Sequence, residues 1–206
     1  MRIAYLSTAY LAPIQYYSKL LRYDRVYVEQ YDHYVKQSYR NRCIIAAPGG
    51  ELSLTVPIVK PDSGDMLMRD IRISDHGNWR HLHWYALTSA YNHTPFFEYY
   101  KDDFAPFYEQ KYTFLIDFNE ALCRQVCSLI DIQPLVERTA SYHIAPLPGA
   151  DDFRERIHPK KAFRTEDSDF VPRPYYQLFE QRHGFLPNLS IVDLLFNMGP
   201  ESVLYL

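Results

Sequence analysis

The chain has 206 residues, 22 Lys and Arg against 25 Asp and Glu, and a net charge of −3. That balance argues against a protein held on nucleic acid by bulk electrostatics, and the lack of 18 consecutive apolar residues argues against a membrane-spanning helix. With 47% hydrophobic and 23% charged residues, the composition is that of a soluble globular protein, and the length suits one domain over 1–206.

Tyrosine is over-used, with 19 Tyr beside 12 Phe. Large rings with polar tips suit binding clefts as well as half-buried packing. The opening residues lack a long apolar core and a small-residue cleavage site, so no signal peptide is expected. Three cysteines without a framework spacing read as reduced thiols in the cytoplasm.

In chain order, 2–6 is a short apolar strand. Ile14, Tyr17, Leu20 and Leu21 follow at helical spacing, and 24–29 reads as a second strand. If these strands are parallel, the loops 7–12 and 30–36 leave their carboxyl ends side by side, where ligands of such sheets sit. Segment 42–47, Pro48-Gly49-Gly50 and the alternating run 51–59 predict a hairpin. A turn at 61–65 and a strand over 66–73 come next.

The period then becomes helical, with Trp79, Leu82, His83, Ala86, Leu87, Ala90 and Tyr91 on one stripe. Thr94 and Pro95 are expected to cap and open the following helix, and 111–130 is the longest helix expected. Segment 146–174 holds five of the 14 prolines amid dense charge and reads as a long irregular loop. Its basic part, 158–164, would close over an anion on one reading and is simply solvated on the plainer one. A short helix is expected over 175–181. A capped helix follows over 188–198, with Ser190 and Asp193 resembling a capping box and Gly199-Pro200 as its stop. Residues 203–206 are expected as a last strand or a docked tail. The predicted class is α/β: an N-terminal mixed sheet with a strand-helix-strand start and a hairpin, a largely helical middle and a C-terminal capped helix.

Glu29–Arg42 is the densest run of site chemistry. Lys36 and Arg40, four apart, share a face on either a strand or a helix; a strand adds Arg42, a helix His33 and Gln37. Such cations suit a carboxylate or phosphate, although pairing with Glu29 and Asp32 on a wet surface explains them equally simply. His33 is the best general-base candidate because imidazole titrates near neutrality. Asp193 and Asn197, one turn apart, either orient substrate or serve the helix itself. Glycine-rich phosphate loops are absent. His76, His81, His83 and His93 complete no familiar ligand set, so no metal site is assigned and any cofactor is unknown. Ser7, Ser190 and Cys43 are nucleophile candidates outside any Gly-x-Ser-x-Gly elbow.

Four pieces, AYLAPIQYY (9–17), YVKQSYRNR with LTVPI (34–42, 54–58), WRHLHWYALTSAYNHTPFF (79–97) and LPNLSIVDLLFNMGPES (186–202), resemble the WbqC-like protein family. The resemblance implies a bacterial cytoplasmic protein linked to surface-polysaccharide, especially O-antigen and lipopolysaccharide, biosynthesis, with sugar modification or group transfer as the inferred role. Lys36, Asn41, Arg42, Tyr91, Gln177, Ser190, Asp193 and Asn197 match family positions. Ser7-Thr8 replaces a common Gln-Pro; Gln30, Tyr31 and His33 stand where Asp-Asp-x-Gln is frequent; and 146–174 lacks a Tyr-x-Ser-Gly segment.

The expected catalytic residues are therefore His33, Lys36 and Asp193. Arg40, Asn41, Arg42, Tyr91, Gln177, Ser190 and Asn197 are expected to hold an anionic small molecule bearing phosphate or carboxylate. The expected activity is sugar modification or transfer of an acyl or aminoacyl group, with no nucleic acid. The alternative is a non-catalytic binding or assembly protein that recognises an envelope-pathway partner; a single-strand nucleic-acid binder is a weaker third reading, opposed by the charge. Convergence of the named residues in one concave site separates the first two.

Overall fold

The computed structural model describes residues 1–60, 66–143 and 145–206; the turn expected at 61–65 lies outside them. The chain runs β1 (Ile3–Ser7), α1 (Ile14–Arg22), β2 (Arg25–Glu29), β3 (Arg42–Ala47), β4 (Gly50–Thr55), α2 (Trp79–Tyr91), α3 (Phe97–Glu109) and α4 (Leu115–Leu129). It continues through β5 (Val136–Arg138), β6 (Asp151–Asp152), α5 (Phe163–Glu166), α6 (Glu180–His183) and α7 (Ile191–Met198). The fold is α/β, as the sequence predicts.

β1 and β2 are parallel, Ile3 opposite Arg25 and Ser7 opposite Glu29. Parallel neighbours need a crossover, and α1 supplies it by burying Ile14, Tyr16, Tyr17 and Leu20. β5 adds to the outer side of β2 and β6 to the outer side of β1, giving a parallel sheet of order β5-β2-β1-β6. β3 and β4 form the antiparallel hairpin.

Phe196 of α7 is the aromatic hub, with ring centroids 5.2 Å from Tyr91, 5.1 Å from Phe97 and 5.3 Å from Phe104. This one side chain locks α7 to α2 and α3. Gly199 ends α7 at φ 56°, and a Cβ there would meet the Phe96 ring at 2.5 Å, so only glycine fits.

Several local expectations give way to tertiary bonds. Residues 66–73 are a 3₁₀ turn at Met68–Asp70 flanked by isolated bridges, because their amides pair with the loop at Gln30–Asp32 instead of a strand. Thr94 does not cap α3, which starts at Phe97; its hydroxyl donates to the Tyr91 carbonyl at the end of α2. The expected helix at 175–181 is confined to Glu180–His183, since Tyr175 and Gln177 are drawn into the core. Ser190 precedes α7 but forms no capping box: its hydroxyl donates to the Leu11 carbonyl at 2.6 Å.

Segment 146–174 is irregular, yet it is not a solvated loop. It supplies β6, and Phe153, Ile157 and Phe170 enter the core. Asp167 sits 2.6 Å from Lys19 of α1, both side chains almost fully buried, and accepts a bond from Gln15 Nε2 at 2.8 Å. Removing one partner of such a pair strands a charge out of water. Lys19→Met is therefore expected to lower the unfolding free energy by about 3–5 kcal/mol, read as a reduced urea midpoint, while Lys19→Met with Asp167→Leu recovers most of it. An unchanged midpoint in the single variant would show that the pair does not hold this segment down.

Candidate active site at the carboxyl edge of the sheet

All four strands of the parallel sheet end on one side. Their carboxyl ends present Thr139 after β5, Glu29 ending β2, Ser7 ending β1 and Arg154 just after β6. β1 leads through α1 to β2 on one flank while β6 lies on the other. This divergence opens a crevice where ligands of parallel sheets bind.

Glu29 is 0% exposed. Its Oε1 accepts from Thr139 Oγ1 at 2.7 Å and from the Tyr31 amide at 2.9 Å. Its Oε2 accepts from the His143 amide at 3.2 Å and faces Arg154 Nη1 at 3.4 Å. Arg154 is forked onto Asp152, with Nε to Oδ1 at 3.0 Å and Nη2 to Oδ2 at 2.7 Å, and Nη1 also donates to the His143 carbonyl. Burial raises the Asp152 pKa, but the two-pronged contact with Arg154 outweighs it and leaves the carboxyl below its ordinary value.

Next to this pair lies Asp32. Its Oδ2 receives Arg40 Nη2 at 2.6 Å and Ser7 Oγ at 3.2 Å. Arg40, 2% exposed, also reaches Glu155 Oε1 at 2.8 Å. Both Asp32 Oδ1 and Arg40 Nε are buried without a partner among the described residues. Burial raises the Asp32 pKa, and the opposing pull of Arg40 does not cancel it. The same contact holds the Arg40 guanidinium firmly charged although burial works against it. Asp32, Tyr142, Asp152, Arg154, Glu155 and Arg156 line an open cleft of about 440 Å³. A small cavity of about 10 Å³ beneath it, lined by Ser7, Arg40 and Arg154, has room for roughly one water.

The sequence-predicted residues fall into two places and do not converge in one concave site, so this set by itself does not favour the catalytic reading over the binding one. From the first stretch, Arg40 enters the crevice. His33 and Lys36 are exposed on the loop before it, and His33 bridges to Leu67 through its backbone. Lys36 and Arg40 do not share a face, because 30–41 is neither helix nor strand and Gln37 turns the chain at φ 58°. Asn41 is buried and donates to the Val56 carbonyl at 2.8 Å, and Arg42 Nε donates to Thr55 across the hairpin.

The second place is the underside of α7. Asp193, 0% exposed, accepts from Tyr91 at 2.9 Å, Tyr175 at 2.7 Å and Gln177 at 3.0 Å. Asn197 Nδ2 donates to the Asp193 carbonyl at 2.7 Å. This buried network joins α2, α7 and the segment at 175–177. Burial raises the Asp193 pKa despite its three donors. His83 is likewise enclosed, hydrogen-bonded to Tyr10 and lowered to about 4 by burial. Among the described residues, no three His, Cys, Asp or Glu side chains are grouped to hold a metal.

Sequence reasoning missed Thr139, Tyr142, Asp152, Arg154 and Glu155. For the last three the signal was the charge density of 151–156, which reads as part of the long irregular loop; Thr139 and Tyr142 carried none. Glu29 and Asp32 were noticed only as exposed partners of the cations, yet both are buried.

Asp193 gives a pH test of the second network. A carboxyl whose folded pKa lies above its unfolded one makes the native state hold more protons, so stability falls as pH rises through the window above the ordinary value of 3.8. Asp193→Asn removes that titration. The urea midpoint of the variant is expected to improve relative to wild type as pH climbs from 3.8; a pH-independent difference would contradict the raised value.

The WbqC-like protein family matches residues 8–154, from the loop leaving β1 to the crevice arginine. The chain is 27% identical over 228 residues to Uncharacterized protein Rv1507c of Mycobacterium tuberculosis, with 100% of this chain and 97% of that protein covered. No solved structure matches. The chain belongs to the WbqC-like protein family.

Proposed function

We propose that this protein is an enzyme of surface-polysaccharide biosynthesis that modifies a sugar, or transfers an acyl or aminoacyl group to it, in the crevice at the carboxyl edge of the parallel sheet. The observation that carries the reading is the Asp32–Arg40 pair: Asp32 lines the cleft, Arg40 holds its Oδ2 at 2.6 Å, and Asp32 Oδ1 and Arg40 Nε are buried with no partner among the described residues. Buried polar atoms are normally paired, so a missing partner marks a place for one. A sugar hydroxyl reaching Asp32 from the cleft is the partner this reading assigns to Oδ1.

The cleft is of the size that ligand pockets commonly have. Tyr142, 54% exposed, offers a ring for the apolar face of a sugar. Arg156 lines the cleft with no ion-pair partner among the described residues and supplies the cation for a donor phosphate or carboxylate. Asp32 is the general base of this reading. Its raised pKa makes it a stronger base than an ordinary carboxylate, and it takes the proton of the acceptor hydroxyl as that oxygen bonds to the donor's acyl carbon and the donor's thiolate or phosphate leaves. Ser7 and Arg40 fix the carboxylate through Oδ2. His33, Lys36 and Arg42 do not line the cleft, and Asp193 is the brace of the helices behind.

A thermal-shift screen tests this with UDP-glucose, UDP-N-acetylglucosamine, acetyl-CoA, ATP and glycine. A ligand at one hundred times its Kd stabilises the fold by about 2.7 kcal/mol. The expected result is a shift with one anionic small molecule that disappears in Asp32→Asn and in Arg156→Ala and persists in Asp193→Asn. No shift with any of them from well-folded protein would overturn the reading in favour of a non-catalytic envelope-pathway binder.

Where turnover is found, its acid limb is expected above 3.8, since activity falls as Asp32 gains its proton. An acid limb unaltered by Asp32→Glu would remove Asp32 from the general-base role.

A further inference from the structure

Helix α4 carries two thiols one turn apart, Cys123 and Cys127. Both line a pocket of about 380 Å³ formed by the end of α4, the stretch 131–134 and Val136 of β5. No residue lines both this pocket and the cleft at Asp32. Its volume lies within the range of small-molecule sites, roughly 300–1,000 Å³. Cys123 is part-exposed, whereas Cys127 and Cys43 are buried. Cys123 also borders a smaller space of about 40 Å³, which Cys127 does not line.

The neighbouring Cys127 thiol, aided by the Tyr17 hydroxyl, favours the Cys123 thiolate and lowers its pKa against the opposing effect of burial. The thiolate is the nucleophile of thiol chemistry, so the accessible member of the pair is also the reactive one. Helix geometry then limits what it forms. Residues four apart on a helix hold their Cβ atoms about 5–6 Å apart. A disulfide draws them to about 3.5–4.5 Å. Closing Cys123 onto Cys127 therefore distorts α4, and an undistorted disulfide at Cys123 takes its second sulfur from outside the helix. The pocket has room for the rest of such a partner, and Arg124, Ser128 and Gln133 on its wall offer donors to carboxylates and amide carbonyls.

We propose that Cys123 is a site of reversible S-thiolation by a low-molecular-weight disulfide, whose retained half occupies the pocket at the end of α4. The Cys123 thiolate attacks one sulfur of that disulfide. A bond between Cys123 Sγ and this sulfur forms as the original S–S bond breaks, and the other half leaves as a thiolate. Cys123 is oxidised and the departing half is reduced, so the electrons balance. Cys127 is held at the wrong spacing to displace the adduct, which stays until an external thiol removes it.

The test uses glutathione disulfide on the folded protein and locates adducts by peptide mass mapping. One glutathione on Cys123 is expected, with Cys43 and Cys127 unmodified and dithiothreitol reversing the reaction. The rate is expected to level off with glutathione disulfide concentration, because the probe binds the pocket before it reacts. Ser128 lines the larger pocket and not the smaller, so Ser128→Trp fills the proposed site and is expected to make the dependence linear. Cys127→Ala is expected to slow the reaction about tenfold at neutral pH, the thiolate lost with one pKa unit, and Cys127→Ser, which keeps a donor, to recover most of it. An unmodified Cys123, a Cys123–Cys127 disulfide, a linear dependence in the wild type or an unchanged rate in Cys127→Ala overturns the proposal.

Discussion

The carboxylate of Glu29 is withdrawn from water at the tip of β2, and much of the sheet edge is arranged around that fact. A buried carboxylate is costly unless its oxygens are hydrogen-bonded and a cation stands near. Here the partners come from more than a hundred residues away: the Thr139 hydroxyl, the His143 amide and the Arg154 guanidinium. Meeting that requirement draws the chain after β5 across the ends of the strands and lays β6 against β1. The floor of the crevice follows from satisfying one charge.

Two other carboxylates show how environment divides roles among chemically identical groups. Asp193 is enclosed by two phenols and an amide, all three donating to it, and it braces α7 against α2 and the 175–177 segment. Asp32 stands at a cleft wall with one oxygen held by Arg40 and Ser7 and the other buried without a partner among the described residues. Burial raises the pKa of both. The first is a closed structural node. The second keeps one enclosed, unsatisfied oxygen in a residue that lines the cleft.

The legible parts of the fold were those carried by long local patterns. The spacing in 14–21, the stripe from Trp79 to Tyr91 and the alternation through the hairpin each repeat often enough to rise above noise. The parallel pairing of β1 and β2, stated conditionally, placed Ser7 beside the 30–36 loop, and their contact through Asp32 is real. β5 and β6 have three and two residues and carry no period. The 66–73 run alternates like a strand, yet its amides turn back to Gln30 and Asp32, a choice invisible to any local window.

By itself, then, the sequence determined the α/β class, the order of the main elements and the family, because these rest on periodicity and on residue strings within one segment. Only the tertiary structure decided which charges are buried and which remain free. Lys36 and Arg40 lie four residues apart, and a left-handed turn at Gln37 leaves one in solvent and the other in an ion pair with Asp32. Arg154 and Glu29, or Asp167 and Lys19, meet because the sheet and α1 bring distant segments together. A side chain's pKa, its exposure and its unmet hydrogen bonds are properties of that assembled neighbourhood, and a string of residues does not contain the neighbourhood.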